Sequence, residues 1–270
     1  MNSKITIGAD PELFIVDKSN NKIISSIGII PGEKRNAYKP EGFPKGFGIQ
    51  TDNILAEFNI PPVMNSLDFI NYINLMKSYI SSMVKRINSN YDILCQASAD
   101  IEADQLLTPE SQMFGCDVDY NVYTESVNPK PETENVNYRT TGFHIHLGFM
   151  PVIPISAKLA IIKALDLYLG IPSVIIDTDG RRRNLYGKAG CFRLTSYGLE
   201  YRVLSGYFLS TDVLIGWVFN QTMLAVKQVA QPFGFKMLGV DWDNVRSIID
   251  TGNVQQAVEI CNQLNINYNI

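Results

Sequence analysis

Histidine is nearly absent from this chain. Two stand among 270 residues, and both fall in one motif, His144-Ile145-His146. That scarcity argues against a zinc hydrolase, whose strand-borne H-x-H normally draws on further histidines elsewhere. Cysteine is also scarce. Cys95, Cys116, Cys191 and Cys261 are widely spaced, with no C-x-x-C pair. This excludes a zinc knuckle or a disulfide framework and predicts reduced thiols in a cytoplasm, the host's if the chain is phage-encoded. Positive charge is not in excess. Lysine and arginine number 23 against 27 acidic residues, a net charge of −4. No nucleic-acid partner is expected, and any phosphate chemistry must rest on local arginines or on metal ions. There is no G-x-x-x-x-G-K-[ST] loop and no protein-kinase motif set. Met1-Asn2-Ser3-Lys4-Ile5 leads straight into an acidic motif, so no signal peptide is expected. The apolar stretch around Ile153 to Ile176 is interrupted by Lys158, Lys163, Asp166 and Pro172, so no membrane span is expected either.

What is present reads as one globular domain, residues 1–270. The hydrophobic fraction of 46% and charged fraction of 19% are ordinary for a chain with a substantial core. Lys4–Ala9 and Leu13–Asp17 predict strands flanking Asp10-Pro11-Glu12, and Lys22–Ser25 a return strand after a turn. Ile30–Gly46 reads as a loop. Ile49–Ile60 predicts a single strand ended by Pro61-Pro62. Ser66–Asn88 carries a helical apolar stripe with Ser66 as its cap. Asp92–Ala97 predicts a strand and Ile101–Asn137 a long loop of the kind that faces substrate. Tyr138–Met150 predicts the H-x-H strand. Ser156–Leu169 predicts a helix that continues past Pro172, and Arg181-Arg182-Arg183 lies in a polar loop. Phe192–Thr195 and Leu199–Leu204 predict paired strands. Thr211–Val229, Asp241–Asp250 and Asn253–Leu264 predict helices.

On a strand, side chains alternate. Both imidazoles of Phe143-His144-Ile145-His146-Leu147 therefore share one face, while Phe143, Ile145 and Leu147 face a core. Four other segments carry unusual polar residues: Gly8–Phe14 with Asp10 and Glu12, Asp52–Asn59 with Glu57, the Arg181–Arg183 run, and Ser196–Gly206 with Glu200 and Arg202. Each alone has an ordinary explanation as a cap, a wet strand face, a solvated loop or a surface ion pair. Together they form a set. Carboxylates with an imidazole suit Mg²⁺ or Mn²⁺, whereas arginines and a second imidazole suit a transferring phosphoryl group.

The order E…E…H-x-H…R…E-x-R resembles the glutamine synthetase and glutamate–cysteine ligase superfamily. It is most similar to the phage-associated, phiEco32-like COOH–NH2 ligase-type amidoligases. The segments that carry the resemblance are GADPELF (Gly8–Phe14), DNILAEFN (Asp52–Asn59), FGCDVDYNVYT (Phe114–Thr124), TGFHIHLG (Thr141–Gly148) and GCFRLTSYGLEYRVLSG (Gly190–Gly206). The resemblance implies an α+β fold, a curved antiparallel sheet with helices on its convex face and ATP with divalent ions on the concave one. It implies Glu12, Glu57, His144 and Glu200 as metal ligands, with Asp10 as a fifth candidate. His146 and Arg202 would face the phosphates, with Arg183 and Arg193 as further anion-binding candidates. The chain is shorter than glutamine synthetase and lacks its separate N-terminal domain. Asp52 lies nearer Glu57 than the corresponding pair does in that superfamily, so it is not assigned.

The implied chemistry is ATP-dependent amide formation through an acyl phosphate, with Mg²⁺ or Mn²⁺, between a small-molecule or peptide carboxylate and an amine. A base must deprotonate the amine, and Asp117 and Asp119 are the candidates; Cys116 reads as a structural thiol. The rivals are a guanidino-kinase-like phosphotransferase on the same fold and a non-catalytic phage assembly or host-binding protein, with a zinc hydrolase a distant third. Neither substrate is legible in the sequence, nor is the oligomeric state.

Overall fold

The structure is a computed structural model that describes residues 4–114, 118–131, 133, 135–230 and 239–270. The strands are β1 (Lys4–Asp17), β2 (Lys22–Ile24), β3 (Gly48–Asp52), β4 (Leu55–Val63), β5 (Tyr91–Leu94), β6 (Ser98–Asp100), β7 (Tyr120–Asn121), β8 (Ser126–Val127), β9 (Tyr138–Thr140), β10 (Phe143–Met150), β11 (Cys191–Leu194) and β12 (Gly198–Tyr201). The helices are α1 (Ser66–Ile87), α2 (Pro109–Gln112), α3 (Ile155–Leu165), α4 (Ile171–Ile176), α5 (Arg182–Leu185), α6 (Asp212–Ala230), α7 (Trp242–Thr251) and α8 (Val254–Leu264). Ten strands form one antiparallel sheet in the order β3-β4-β1-β10-β12-β11-β7-β8, with β2 and β5 both on β1, and β6 pairs with β9 in a separate ribbon. The fold is α+β with a large antiparallel sheet that does not close into a barrel.

Strand alternation decides which face is which. On β1, Ile7, Ala9, Leu13 and Ile15 are buried in the main core, as are Phe143, Ile145, Leu147 and Phe149 on β10. They meet the apolar stripe of α1, formed by Phe69, Ile73, Met76, Ile80 and Val84. Helix α6 packs on α1 and α3 behind them. The intervening residues, Asp10 and Glu12 on β1 and His144 and His146 on β10, consequently project from the opposite face.

Several local expectations needed correction. β1 runs unbroken through Asp10-Pro11-Glu12, because Glu12 N–H still donates to Gly142 O at 2.9 Å. The segment read as one strand from Ile49 is a hairpin, β3–β4, turned at Asn53 with φ of 54°. Asparagine tolerates this left-handed geometry. Pro61-Pro62 does not end β4; the strand continues to Val63, past a register shift against β1 between Ile7 and Ala9 that accommodates residues lacking N–H donors. Asn65 rather than Ser66 caps α1, its side-chain oxygen accepting from Asp68 N–H at 2.9 Å. The loop from Ile101 contains short elements, and Arg182 and Arg183 lie on a one-turn helix.

The Ile155–Ile176 stretch is helical throughout, with one wider turn at Asp166–Gly170. By length and composition it could span a bilayer, but most of it is buried within the protein. Its centre holds Asp166, fully buried, which accepts from Tyr123 OH and Tyr201 OH at 2.8 Å each. Desolvation raises the Asp166 pKa to about 7 against those two hydrogen bonds, which pull it down. A carboxyl raised in the fold contributes stability that is complete below its unfolded value of 3.8 and is lost as pH rises through about 7. Asp166→Asn, which imitates the protonated acid, should therefore flatten the fall in melting temperature between pH 4 and 8. At pH 8 it should melt above the wild type and be more stable by up to roughly 4 kcal/mol. Parallel curves for the two proteins would refute that.

Candidate active site

Register across the sheet builds a polar band from separate segments. On β3, β4 and β1, Gln50 faces Glu57, which faces Glu12. On β1 and β10, Asp10 faces His144 and Gly8 faces His146. On β10, β12 and β11, His146 faces Glu200, which faces Arg193. Residues directly opposite in antiparallel strands share a face. One continuous band thus holds Glu12, Glu57, Asp10, both histidines, Glu200 and Arg193, with Arg202 one step along the same face of the chain.

Glycine shapes the centre. Gly8 presents no side chain to His146, and the imidazole reaches diagonally to Asp10, with Nε2 2.8 Å from Oδ1. Asp10 Oδ1 is also 3.5 Å from His144 Nδ1. Burial raises the Asp10 pKa, but the two imidazoles outweigh it and hold the carboxyl well below the usual range. The reciprocal effect raises His146 against desolvation. On its other side His146 Nδ1 lies 2.6 Å from Tyr197 OH. Gly142 is equally constrained: a Cβ there would fall 2.5 Å from His144 Nε2, and its N–H donates to Glu12 Oε2 at 2.6 Å.

Asp10, His146 and Glu200 can each offer a ligand atom with all three within 4.8 Å of one another. This is the separation a single divalent cation bridges. With Nε2 turned to such a cation, His146 Nδ1–H donates to Tyr197 OH, the outer-shell arrangement that fixes a ligating imidazole. His144 instead stands between charges, its Nδ1 3.3 Å from Arg202 Nη1 and 3.8 Å from Glu200 Oε1. Arg202 Nη1 also donates to Glu200 Oε1, and Arg202 Nε lies 3.5 Å from Asp119 Oδ2.

Glu57 and Glu12 make a second acidic centre beside the first. Glu57 Oε2 accepts from Gln50 Nε2 at 2.7 Å. Burial, then the charges of Asp10, Glu12 and Asp52, push the Glu57 pKa well above its ordinary value. Burial and Glu12 raise Asp52 to about 6, although Lys34 Nζ lies 3.8 Å away. Carboxylates this crowded and desolvated repel one another unless cations join them. Glu57→Gln should therefore stabilise the metal-free protein at neutral pH by about 1 kcal/mol, raising its melting temperature, while weakening its stabilisation by Mg²⁺. A metal-free variant that melts below the wild type would show that the Glu57 charge is satisfied without a cation.

The band opens into a cavity of about 390 Å³. Glu12, Asp52, His144, Asp119 and Arg202 line it together with apolar Phe114, Val127, Pro129 and Leu185 and basic Arg139, Arg182 and Lys188.

The other predicted residues fall as follows. Arg193 joins the band, its Nη1 3.6 Å from Glu200 Oε2 and its Nε donating to Val118 O at 3.2 Å. Arg183 does not line the cavity. Its buried guanidinium points the other way, Nη2 donating to Ser173 O at 3.0 Å, and it is removed here from the anion-binding set. Asp119 comes to Arg202 and accepts from Asn128 Nδ2 at 2.9 Å. Asp117 and Cys116 lie outside the described residues. Cys95, Cys191 and Cys261 are free, and burial raises the thiol pKa of each, Cys261 to about 12, which leaves no activated thiolate among the described residues. Tyr197, Gln50, Gly142 and Arg139 were not singled out in the sequence. Tyr197 falls between the predicted strands Phe192–Thr195 and Leu199–Leu204, and Gln50 lies within the single strand predicted from Ile49 to Ile60, which also holds Glu57, so no cross-strand contact between them is foreseen.

Residues 121–232 match the family described as Phage phiEco32-like COOH.NH2 ligase-type 2, which supports a ligase. That span contains His144, His146, Arg193, Glu200 and Arg202, whereas Asp10, Glu12 and Glu57 precede it. No curated protein matches the chain.

Proposed function

We propose that the protein is an ATP-dependent ligase that joins a carboxylate to an amine through an acyl phosphate, using Mg²⁺ or Mn²⁺. The observation that carries this reading is the band itself, in which Asp10, His146 and Glu200 sit within cation-bridging distance beside Arg202. The donor set, oxygen-rich with one imidazole, fits Mg²⁺ or Mn²⁺. Asp10, His146 and Glu200 would hold one cation, and Glu12 and Glu57, with His144 close by, would form the second centre. Bound cations would neutralise the oxygens of the nucleotide. Arg202 and Arg193 orient the transferring phosphoryl group through guanidinium donors aimed along the band. The substrate carboxylate attacks the γ-phosphorus, ADP leaves, and the amine displaces phosphate from the acyl carbon. Asp119, beside Arg202, would take the proton of the incoming amine, with Asp117 the alternative that the sequence offers. The partly apolar cavity accommodates substrate beside the charged row and keeps water from the acyl phosphate.

The test is a screen of acids crossed with amines in Mg²⁺ and ATP. The expected result is ADP and free phosphate released only when both substrates are present, with a product whose mass is acid plus amine minus water. Transfer of the phosphate onto a stable product would instead make the protein a phosphotransferase. A melting temperature unmoved by nucleotide with Mg²⁺ would remove the nucleotide altogether.

A further inference from the structure

Asp166 is a fully buried acid that the proposed mechanism does not use. It lies where the Ile155–Ile176 helix widens for one turn, and such turns often mark functional positions. Tyr201 OH donates to its Oδ1 and Tyr123 OH to its Oδ2, and the Gly190 N–H is directed at the same carboxyl. Gly170 keeps the place open, since a Cβ there would lie 3.0 Å from Tyr201 OH and 3.2 Å from Asp166 Oδ1. Tyr201 stands on β12 between Glu200 and Arg202. Its ring turns to the core and meets Asp166, while its two neighbours turn to the band. One strand therefore separates Asp166 from the Asp10, His146 and Glu200 group. Cys191, in the cavity wall, stands within the field of both Asp166 and Arg202.

The other ionisable groups facing this cluster are Asp250 and Arg246 on α7, Cys191 on β11, and Lys163, whose Nζ lies 5.5 Å from the centre of the Tyr123 ring. Arg246 lies 3.6 Å from Asp250, and among the described residues no cation pairs with Asp166. The hydrogen bonds do not require an acid. An asparagine carbonyl can accept from both tyrosines and carries no charge, whereas the ionised carboxyl lowers stability above neutral pH. The charge itself is what folding leaves unexplained. A divalent cation on the far face of β12 accounts for it, because a bound cation is the largest charge in its neighbourhood and attracts an anion across the sheet. Attraction is reciprocal, so a cation that favours ionised Asp166 is itself bound more tightly when Asp166 is ionised. We propose that Asp166 is an electrostatic partner of the cation site, so that divalent-cation binding at the band is linked to loss of the Asp166 proton. This rests on the reading of Asp10, His146 and Glu200 as a cation site.

The experiment titrates the full chain with Mn²⁺ by electron paramagnetic resonance, from about pH 5.5 to about pH 8.5, for the wild type, Asp166→Asn and Tyr123→Phe. Protonation of His146 and of the band carboxyls is common to all three proteins and cancels in the ratio of their affinities. The wild type and Asp166→Asn should bind Mn²⁺ equally at the acid end, where both are neutral at residue 166. At the alkaline end the wild type should bind about three- to tenfold more tightly. Tyr123→Phe removes a donor that favours the anion, so its gain in affinity should be displaced to higher pH than that of the wild type. Mn²⁺ binding with a wild-type to Asp166→Asn ratio that is level, or falls, as pH rises would overturn the inference and leave Asp166 as a hydrogen-bonding tie. Should Asp166→Asn not fold, Tyr123→Phe decides, and a gain at the same pH as in the wild type would overturn it. Failure of the wild type to bind Mn²⁺ at any pH would remove the cation site itself, and this inference with it.

Discussion

Arg202→Lys should lower kcat about 100- to 1,000-fold while leaving the fold and most divalent-cation binding intact. Arg202 is 5% exposed and sits among Glu200, His144 and Asp119. A lysine ammonium can replace its charge toward Glu200, so little stability is lost. It cannot reproduce a planar fork that spans a carboxylate on one edge and a phosphoryl oxygen on another. Donors that act mainly in the transition state are worth about 3–4 kcal/mol each. Steady-state kinetics, with circular dichroism as the folding control, check this. Near-wild-type turnover by the lysine variant would reduce Arg202 to a buried ion-pair partner and pass its role to Arg193.

His146→Ala should weaken Mn²⁺ binding by at least about 10- to 100-fold, the loss usual even for an outer-shell partner of a ligand. Asp10→Asn should do the same, because Asp10 and His146 belong to one group with Glu200. Tyr197→Phe should produce a smaller loss, since it frees the imidazole ring without removing the ligand nitrogen. Titration of the free Mn²⁺ signal by electron paramagnetic resonance measures all three. The family resemblance assigned His144 to metal and His146 to phosphate, and the geometry supports the exchanged roles. If His144→Ala loses Mn²⁺ and His146→Ala does not, the original assignment stands.

The architecture and much of the band were legible in the sequence because alternation is a local property. Phe143-His144-Ile145-His146-Leu147 announces a strand with one apolar face, and Glu200-Tyr201-Arg202 repeats the pattern with Tyr201 turned to the core. Scarcity helped as well, since a chain with two histidines cannot build a three-imidazole site. Helices α1, α6, α7 and α8 followed from their apolar periodicity with errors of a residue or two at the caps.

Register was not legible, since it depends on pairing between segments far apart in the chain. Only the assembled sheet sets Gly8 against His146, which lets that imidazole lean to Asp10, and the β3–β4 hairpin that brings Gln50 to Glu57 turns on one residue, Asn53. Arg183 and Arg139 show the same limit in opposite senses. Both are arginines next to conspicuous motifs, yet a one-turn helix directs the first to Ser173, while the β6–β9 ribbon holds the second in the cavity wall. Residue type and spacing determined which chemistry this chain can carry. Tertiary packing decided which atoms meet, because side-chain direction follows local backbone geometry whereas proximity follows from contacts made across more than a hundred residues.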